Sequence, residues 1–102
     1  MLRITRELGW QSQTLLRIEG SLVAEWVGLL LRECFAALRS AEVLELDLEG
    51  VDFVDRAGVE ALGLLSRAGV EIRRPPGSVA SVLEEEGVFV TEDEKSVAHG
   101  RP

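Results

Sequence analysis

The amino-acid sequence predicts one α/β domain with a mixed β-sheet and helices packed on one face of that sheet. Two alternating apolar runs, at 2–8 and 13–19, flank a turn at 9–12, which is typical of an antiparallel hairpin. A strand, a helix and a short strand follow one another over 43–73, the order of a right-handed crossover between parallel strands. The whole chain then reads in the order β-β-α-β-α-β-α-β, with a short last helix.

The composition fits a globular domain. The 102 residues are enough for one hydrophobic core, and 46% hydrophobic with 28% charged residues is ordinary for such a domain. A single cysteine excludes an internal disulfide and suits a reducing cytoplasm, which is the expected location. No apolar run approaches the ~20 residues of a membrane span, and the first residues lack a signal-peptide core, so membrane insertion is not expected.

The first helix is predicted at 22–39. Gly20 and Ser21 are expected to end the second strand, with Ser21 as the helix N-cap. Apolar residues recur with the helical period, at Val23, Trp26, Val27, Leu30, Cys34, Ala37 and Leu38. Because Cys34 lies on this stripe, we interpret it as a small buried hydrophobe rather than a nucleophile.

A second apolar row on the same helix contains Leu31 and Phe35. It leaves two interpretations open. Either the helix is deeply covered, or this row contacts a partner chain, such as a second copy of this protein in a homodimer.

The segment 43–65 reads as a strand, an acidic turn, a short apolar hinge and a helix that opens at Asp55. In the strand, leucines alternate with acidic residues, which indicates one covered face. Gly58, Ala61, Leu62 and Leu65 then form one helical stripe, and Asp55 is a natural N-cap for this helix at 56–67. Glycine costs about 1 kcal/mol in a helix relative to alanine. Gly58 on the buried stripe therefore indicates close approach to a neighbouring element.

The remaining elements follow from turn signals. Gly69 is expected to end the second helix, and a short parallel strand follows at 70–73. Ser78 is the predicted N-cap of a third helix that Gly87 closes, and 88–90 is a candidate edge strand. A capping-box pattern at 91–94 predicts one final helical turn. We expect the domain to span 1–98, with a frayed tail at 99–102.

Charge is concentrated in one part of the chain. Residues 42–63 contain seven acidic residues and only one basic residue, Arg56. Such a surface disfavours nucleic acid and anionic lipid and favours a basic or neutral protein partner. The alternative is a solvated acidic surface that aids solubility.

The sequence does not favour an enzyme. The only histidine, His99, lies in the tail away from any serine or cysteine, and the only lysine, Lys95, follows no glycine-rich phosphate loop. Asp47 and Asp55 have structural interpretations, at the end of a strand and as a helix cap. We therefore expect no catalytic site, no metal and no cofactor.

The central segment resembles the STAS family (sulfate transporter and anti-sigma-factor antagonist). The family pattern is an apolar strand ending in Asp-Leu, then Ser/Glu-Gly-Val, then Phe-hydrophobic-Asp-Ser-Ser/Thr-Gly. This chain reads Asp47-Leu48, Glu49-Gly50-Val51 and Phe53-Val54-Asp55-Arg56-Ala57-Gly58. The resemblance covers roughly 2–98 and implies a STAS-like order of elements. The residue before the last glycine is the serine or threonine that an anti-sigma-factor kinase phosphorylates in regulatory members. Here that residue is Ala57, so no phosphoacceptor is present at the family position.

The resemblance implies a bacterial, non-enzymatic protein-binding module in signal transduction and transcription regulation. This would be an anti-sigma-factor antagonist or a related scaffold, whose partner is an anti-sigma-factor kinase or another signalling protein. We hypothesise that the partner-binding surface is the loop and helix start at 52–59, with the entry into the first helix at 20–22 beside it. The predicted residues are Asp52, Asp55, Arg56, Ala57, Gly58, Val59, Gly20, Ser21 and Leu22.

The sequence leaves three points open. Arg56 either pairs with a neighbouring carboxylate or reaches an acidic group on the partner. The chain is alternatively a structural subunit attached to a transporter ATPase. A second alternative function is a module that binds a nucleotide or an acyl carrier, which predicts a cavity near Asp55.

Overall fold

The computed structural model describes residues 1–9, 13–41 and 43–91. Its strands are β1 (Leu2–Leu8), β2 (Gln13–Leu22), β3 (Val43–Val54) and β4 (Glu71–Arg73), and its helices are α1 (Ala24–Leu38), α2 (Arg56–Arg67) and α3 (Gly77–Glu85). The sheet order is β1-β2-β3-β4, with β1 and β2 antiparallel and the other two pairs parallel. The predicted mixed α/β class is confirmed. Most of the hairpin turn, the final helical turn and the tail lie outside the described residues, so the domain limits stay a prediction.

One face of the sheet forms the core. Leu16 pairs with Leu46, and Leu46 pairs with Ile72, so these three side chains project from the same face and are buried. Each helix contributes fully buried leucines to the same cluster, including Leu30 from α1 and Leu83 from α3. The three helices therefore cover one face of the sheet, as the sequence predicted.

The opposite face carries charged side chains that pair with one another. Arg17 lies 2.9 Å from Glu7, and Arg73 lies 3.0 Å from Glu71. Asp47 also belongs to this face but is only 2% exposed, because arginines cover it. The open face of the sheet is thus polar and largely neutralised by its own residues.

Asp47 is the one buried carboxylate of this face among the described residues. Arg74 Nη2 lies 2.6 Å and Arg17 Nε 3.5 Å from its Oδ2, while the Glu49 amide donates to Oδ1 at 3.0 Å. Burial by itself raises the pKa of the Asp47 carboxyl. The hydrogen bonds from Arg74 and Glu49 and the charges of the two arginines outweigh burial, so that its pKa lies below the usual value.

The acidic turn predicted after Leu48 is wrong, because β3 continues to Val54. Parallel pairing with β2 satisfies the backbone of this segment through two changes of register. Arg17 pairs with Asp47 but Glu19 with Gly50, which adds one residue to β3, and a second shift follows between Gly20 and Ser21. Such bulges keep a strand paired while they bend it, and here they carry it to the start of α2.

Gly20 and Ser21 do not end the second strand, which continues to Leu22. Gly20 has a φ of +104°, and a Cβ there would collide with the carbonyl oxygen of Met1, whereas the Ser21 amide donates to that oxygen at 3.0 Å. Ser21 is therefore not the N-cap of α1. The N-cap is Val23, whose side chain offers no oxygen to the helix.

Cys34 is buried on the inner face of α1, as its position on the stripe predicted. Burial, with a smaller contribution from the charge of Glu33, raises the pKa of its thiol to about 12. In the second row, Leu31 packs partly against the core and Phe35 is 43% exposed. That row is only partly covered by this chain.

The helix α2 has the predicted bounds and ends as expected. Gly69 has a φ of +98°; its amide donates to the Ser66 carbonyl, and the Val70 amide donates to the Leu65 carbonyl, both at 3.0 Å. This Schellman arrangement satisfies the last carbonyls of the helix and turns the chain into β4.

The last described segment differs from the prediction at two points. Ser78 is not a cap, because it lies inside α3, which begins at Gly77. The N-cap is Pro76, which makes no side-chain hydrogen bond to the helix. The residues 88–90 do not form a strand; beside β4, the Thr91 amide donates to the Ile72 carbonyl at 2.8 Å. Val88 and Val90 pack against the core instead, which explains their apolar character.

Candidate functional site

One carboxylate caps two helices. Asp55 is the N-cap of α2, and its Oδ1 accepts a hydrogen bond of 2.9 Å from the Gly58 amide, as the sequence predicted. Its Oδ2 accepts a second bond, of 3.0 Å, from the amide of Ala24, the first residue of α1. Asp55 therefore replaces the cap that Val23 cannot supply, and it ties the starts of α1 and α2 together.

The backbone joins the same two segments. The Asp55 amide donates to the Leu22 carbonyl at 3.2 Å, and the Ser21 hydroxyl donates to Oδ1 of Asp52 at 3.1 Å. The end of β2 and the start of α2 are thus held side by side. The structure brings together the two segments that the sequence assigned to the partner-binding surface.

Gly58 is the point of closest approach between them. A Cβ at this position would meet the Leu22 carbonyl oxygen, with Val54 Cγ1 at 2.8 Å and Leu22 Cγ at 3.0 Å. The close approach inferred from a glycine on the buried stripe is confirmed, and its neighbour is the end of β2. Only a residue without a side chain lets α2 start here.

The predicted site residues divide into exposed and buried sets. Leu22 and Gly58 are buried, and Val59 is only 6% exposed, at the edge of a groove. Asp52 and Arg56 are exposed, and the other predicted residues are partly exposed. The sequence-based list did not separate the exposed residues from the buried ones, and the list itself stays a prediction.

Phe53 was missed as a surface residue. Its side chain is 56% exposed beside Asp52, so that a large apolar group lies in water next to the Asp55 cap. The sequence did contain a signal, because Phe53 lies between two acidic residues, Asp52 and Asp55, and Asp55 is the cap of α2. It was counted as part of an apolar hinge because the length of β3 was underestimated.

The electrostatics of this region are dominated by carboxylates. Hydrogen bonds from the Gly58 amide and then the Ala24 amide hold the pKa of Asp55 below its usual value, so that it is ionised at neutral pH. Arg56 Nε lies 3.5 Å from Glu60 Oε2, one turn along α2, and both side chains are exposed. Arg56 therefore pairs with a neighbouring carboxylate, which was one of the two interpretations left open. Such an exposed pair contributes about 0–1 kcal/mol.

A groove of about 200 Å³ lies beside Asp55, between the start of α2 and the end of α3. Three valines and four charged residues line it: Val54, Val59, Val82, Asp55, Arg56, Glu60 and Glu86. It is smaller than the roughly 300–1,000 Å³ of typical small-molecule pockets. The sequence did not indicate this groove, because α3 contributes to it from more than twenty residues away.

Neither a metal site nor a membrane span is found in the described part of the chain. No group of three or more His, Cys, Asp or Glu side chains is placed to hold a metal ion there. Within 1–9, 13–41 and 43–91, no helix combines the length and the apolar character needed to cross a bilayer.

Comparison with known proteins identifies the fold. No protein-family model matches the chain, and no curated protein matches its sequence. The anti-sigma factor antagonist SpoIIAA in its unphosphorylated form is similar in structure, with a TM-score of 0.72 at 17% identity over 95% of both chains.

Two further solved structures agree. The phosphorylated form of SpoIIAA, a Bacillus cell fate determinant, gives a TM-score of 0.62 at 19% identity, covering 97% of this chain and all of that one. An uncharacterised protein from Shewanella loihica with a SpoIIAA-like fold gives 0.56 at 16% identity, over 93% and 88% of the two chains. The chain therefore has the STAS-like fold of SpoIIAA, as the sequence resemblance implied.

Proposed function

We propose that this chain is a non-enzymatic protein-binding module of the anti-sigma-factor-antagonist type, acting in the bacterial cytoplasm. Its docking surface, called here the Asp55 surface, consists of Ser21, Asp52, Phe53, Arg56 and Ala57. The observation that carries the proposal is the double cap by Asp55, because it holds both parts of this surface in one fixed arrangement. A preorganised surface costs little ordering free energy when a partner binds.

The fold and the sequence pattern support this assignment together. SpoIIAA, which has the same fold, is an anti-sigma factor antagonist that exists in phosphorylated and unphosphorylated forms. The position of the family phosphoacceptor is Ala57 here, whose methyl group accepts no phosphate. We propose that docking on the Asp55 surface is constitutive and is not switched by phosphorylation at this position.

The chemistry of the site also favours binding over catalysis. Both oxygens of Asp55 accept backbone hydrogen bonds, and Asp47 is paired with arginines on the opposite face of the sheet. Neither carboxylate is placed as a general acid or base, since each is committed to a structural contact and has a lowered pKa.

Replacing Ala57 by serine tests the proposal directly. Ala57 lies in the first turn of α2, where the helix dipole and free amides favour a phosphate group. With an anti-sigma-factor kinase from the same organism and ATP, we expect A57S to gain one phosphate, measured by intact mass, and to release the kinase. The unmodified chain is expected to bind the kinase with or without ATP and to gain no phosphate.

The control is A68S, which places a serine at the opposite end of the same helix, where the dipole disfavours phosphate. It should behave like the unmodified chain. Two results would contradict the proposal: failure of the unmodified chain to bind any anti-sigma-factor kinase of that organism, or its release by ATP with phosphate on another residue.

The alternative of a nucleotide or acyl-carrier module receives less support. The groove beside Asp55 is small, and its charged lining has three carboxylates against Arg56 alone, which repels the phosphates of such ligands. The alternative of a transporter subunit, or a homodimer through α1, rests on the partly exposed Leu31 and Phe35 row. A stoichiometric, constitutive complex that is broken by F35E would favour it over the regulatory role.

A further inference from the structure

The end of α3 carries an unfavourable arrangement of charge. Glu84, Glu85 and Glu86 are consecutive and exposed, and they lie at the negative end of the helix dipole with no basic residue in the last turn. Like charges at this end of a helix lower its stability. None of the ion pairs found among the described residues involves these three carboxylates, so no basic side chain of that part of the chain compensates them.

Glu86 differs from Glu84 and Glu85 in what it borders. It lines the groove between α2 and α3, together with the apolar side chains of Val54, Val59 and Val82. The second carboxylate of the rim, Glu60, is already paired with Arg56 on α2. The groove therefore joins an apolar wall to one carboxylate that lacks a partner among the described residues.

This combination matches a long basic side chain. The methylene stem of arginine or lysine packs on apolar surface while its charged head group stays at a polar edge. The volume of about 200 Å³ suits a side chain or two rather than a cofactor. A cation at Glu86 would also relieve the charge at the end of α3.

We infer that this groove, called here the α2–α3 groove, receives an arginine or lysine of the protein partner, with its stem on the valines and its cation at Glu86. A neighbouring apolar residue of the partner would then meet Val82, which is 36% exposed at the edge of the groove. The inference rests on the proposed function and extends it, because it adds α3 to the docking surface and states the chemistry of the partner. Glu86 and Val82 become specificity residues that the Asp55 surface alone does not include.

A selection experiment on the full chain tests this inference. We expect a phage-displayed library of random twelve-residue peptides to yield binders in which an arginine or lysine stands beside an aliphatic or aromatic residue. Amide shifts on binding should include Val82 and Glu86. The E86Q variant should bind the selected peptide about threefold to fivefold more weakly, the fold-change for loss of one exposed ion pair. The matched control is E85Q, which makes the same charge change one residue away and outside the groove lining, and should bind unchanged.

Other outcomes overturn the inference. Peptides without a basic residue, equal weakening in E85Q and E86Q, or shifts confined to 20–22 and 52–57 would each contradict it while leaving a protein-binding function in place. Failure to enrich any peptide would overturn it as well. The function itself is decided separately by kinase binding and by the A57S variant, so the two failures are distinguishable.

Discussion

Replacing Gly58 by alanine is expected to lower the free energy of unfolding by about 1–3 kcal/mol, the usual cost of overpacking a close contact. The added Cβ would collide with the backbone carbonyl of Leu22, which cannot turn aside as a flexible side chain would. The helix start must then move away from β2, which also separates the two parts of the Asp55 surface. Urea unfolding gives the stability, and partner affinity should fall with it.

Gly63 supplies the matched control in the same helix. A Cβ there meets only ordinary contacts, at 3.5 Å to Arg67 Nη1 and 3.6 Å to Val88 Cγ2. G63A should therefore gain up to about 1 kcal/mol from helix propensity. If G58A and G63A change stability in the same direction, the close approach at Gly58 is not what the helix start depends on.

Replacing Asp47 by asparagine is expected to lower the free energy of unfolding by about 1–3 kcal/mol, because a buried acceptor loses its charge between two arginines. The loss should lie toward the lower end, since both arginines are partly exposed and keep some hydration. The pKa of Asp47 is lowered in the folded state, so its contribution is present above the unfolded pKa and is lost as the pH falls. The difference in free energy of unfolding between D47N and the unmodified protein should narrow below about pH 4.

The E49Q variant is the control for this network. Glu49 pairs with the same Arg74 at 3.2 Å, but its side chain is exposed. Loss of such a pair is expected to change stability by about 0–1 kcal/mol. Two results would contradict the role given to burial at Asp47. One is an equal loss of stability in D47N and E49Q; the other is a stability difference between D47N and the unmodified protein that does not vary with pH.

Local patterns predicted those parts of the fold that local contacts determine. The bounds of α2, the cap at Asp55 and the stop at Gly69 all depend on residues within one turn of each other. The close approach at Gly58 was also inferred, because glycine is unfavourable on the buried stripe of a helix unless a neighbouring element leaves no room for a Cβ. For these elements, residues close in sequence supply the hydrogen-bond partners.

The errors around Ser21 and residues 49–52 occurred where a distant segment supplies the partner. Residues 49–52 read as a turn because they are acidic and contain a glycine, yet β2 pairs with them across two bulges. Ser21 is a good cap in isolation, but it bonds to Asp52, and the cap of α1 comes from Asp55, thirty-one residues away. No pattern within one helix shows that one carboxylate serves two helices.

The double cap by Asp55 does not depend on the residue at the family phosphoacceptor position, Ala57. The geometry that joins the two segments of the proposed docking surface depends on Asp55 and Gly58, and both are present. Ala57 removes only the hydroxyl that a kinase would use. If the proposed function holds, this surface is expected to bind its partner without a switch by phosphorylation at this position.

The most direct test of the double cap is a pH titration of the backbone amides by NMR. We predict that the Ala24 and Gly58 resonances shift together, with one common midpoint below the usual aspartate pKa of about 3.9, because both amides donate to the same carboxylate. In D55N both shifts with pH should disappear. Two separate midpoints, or an Ala24 amide that does not respond while Gly58 does, would contradict the claim that Asp55 joins the two segments.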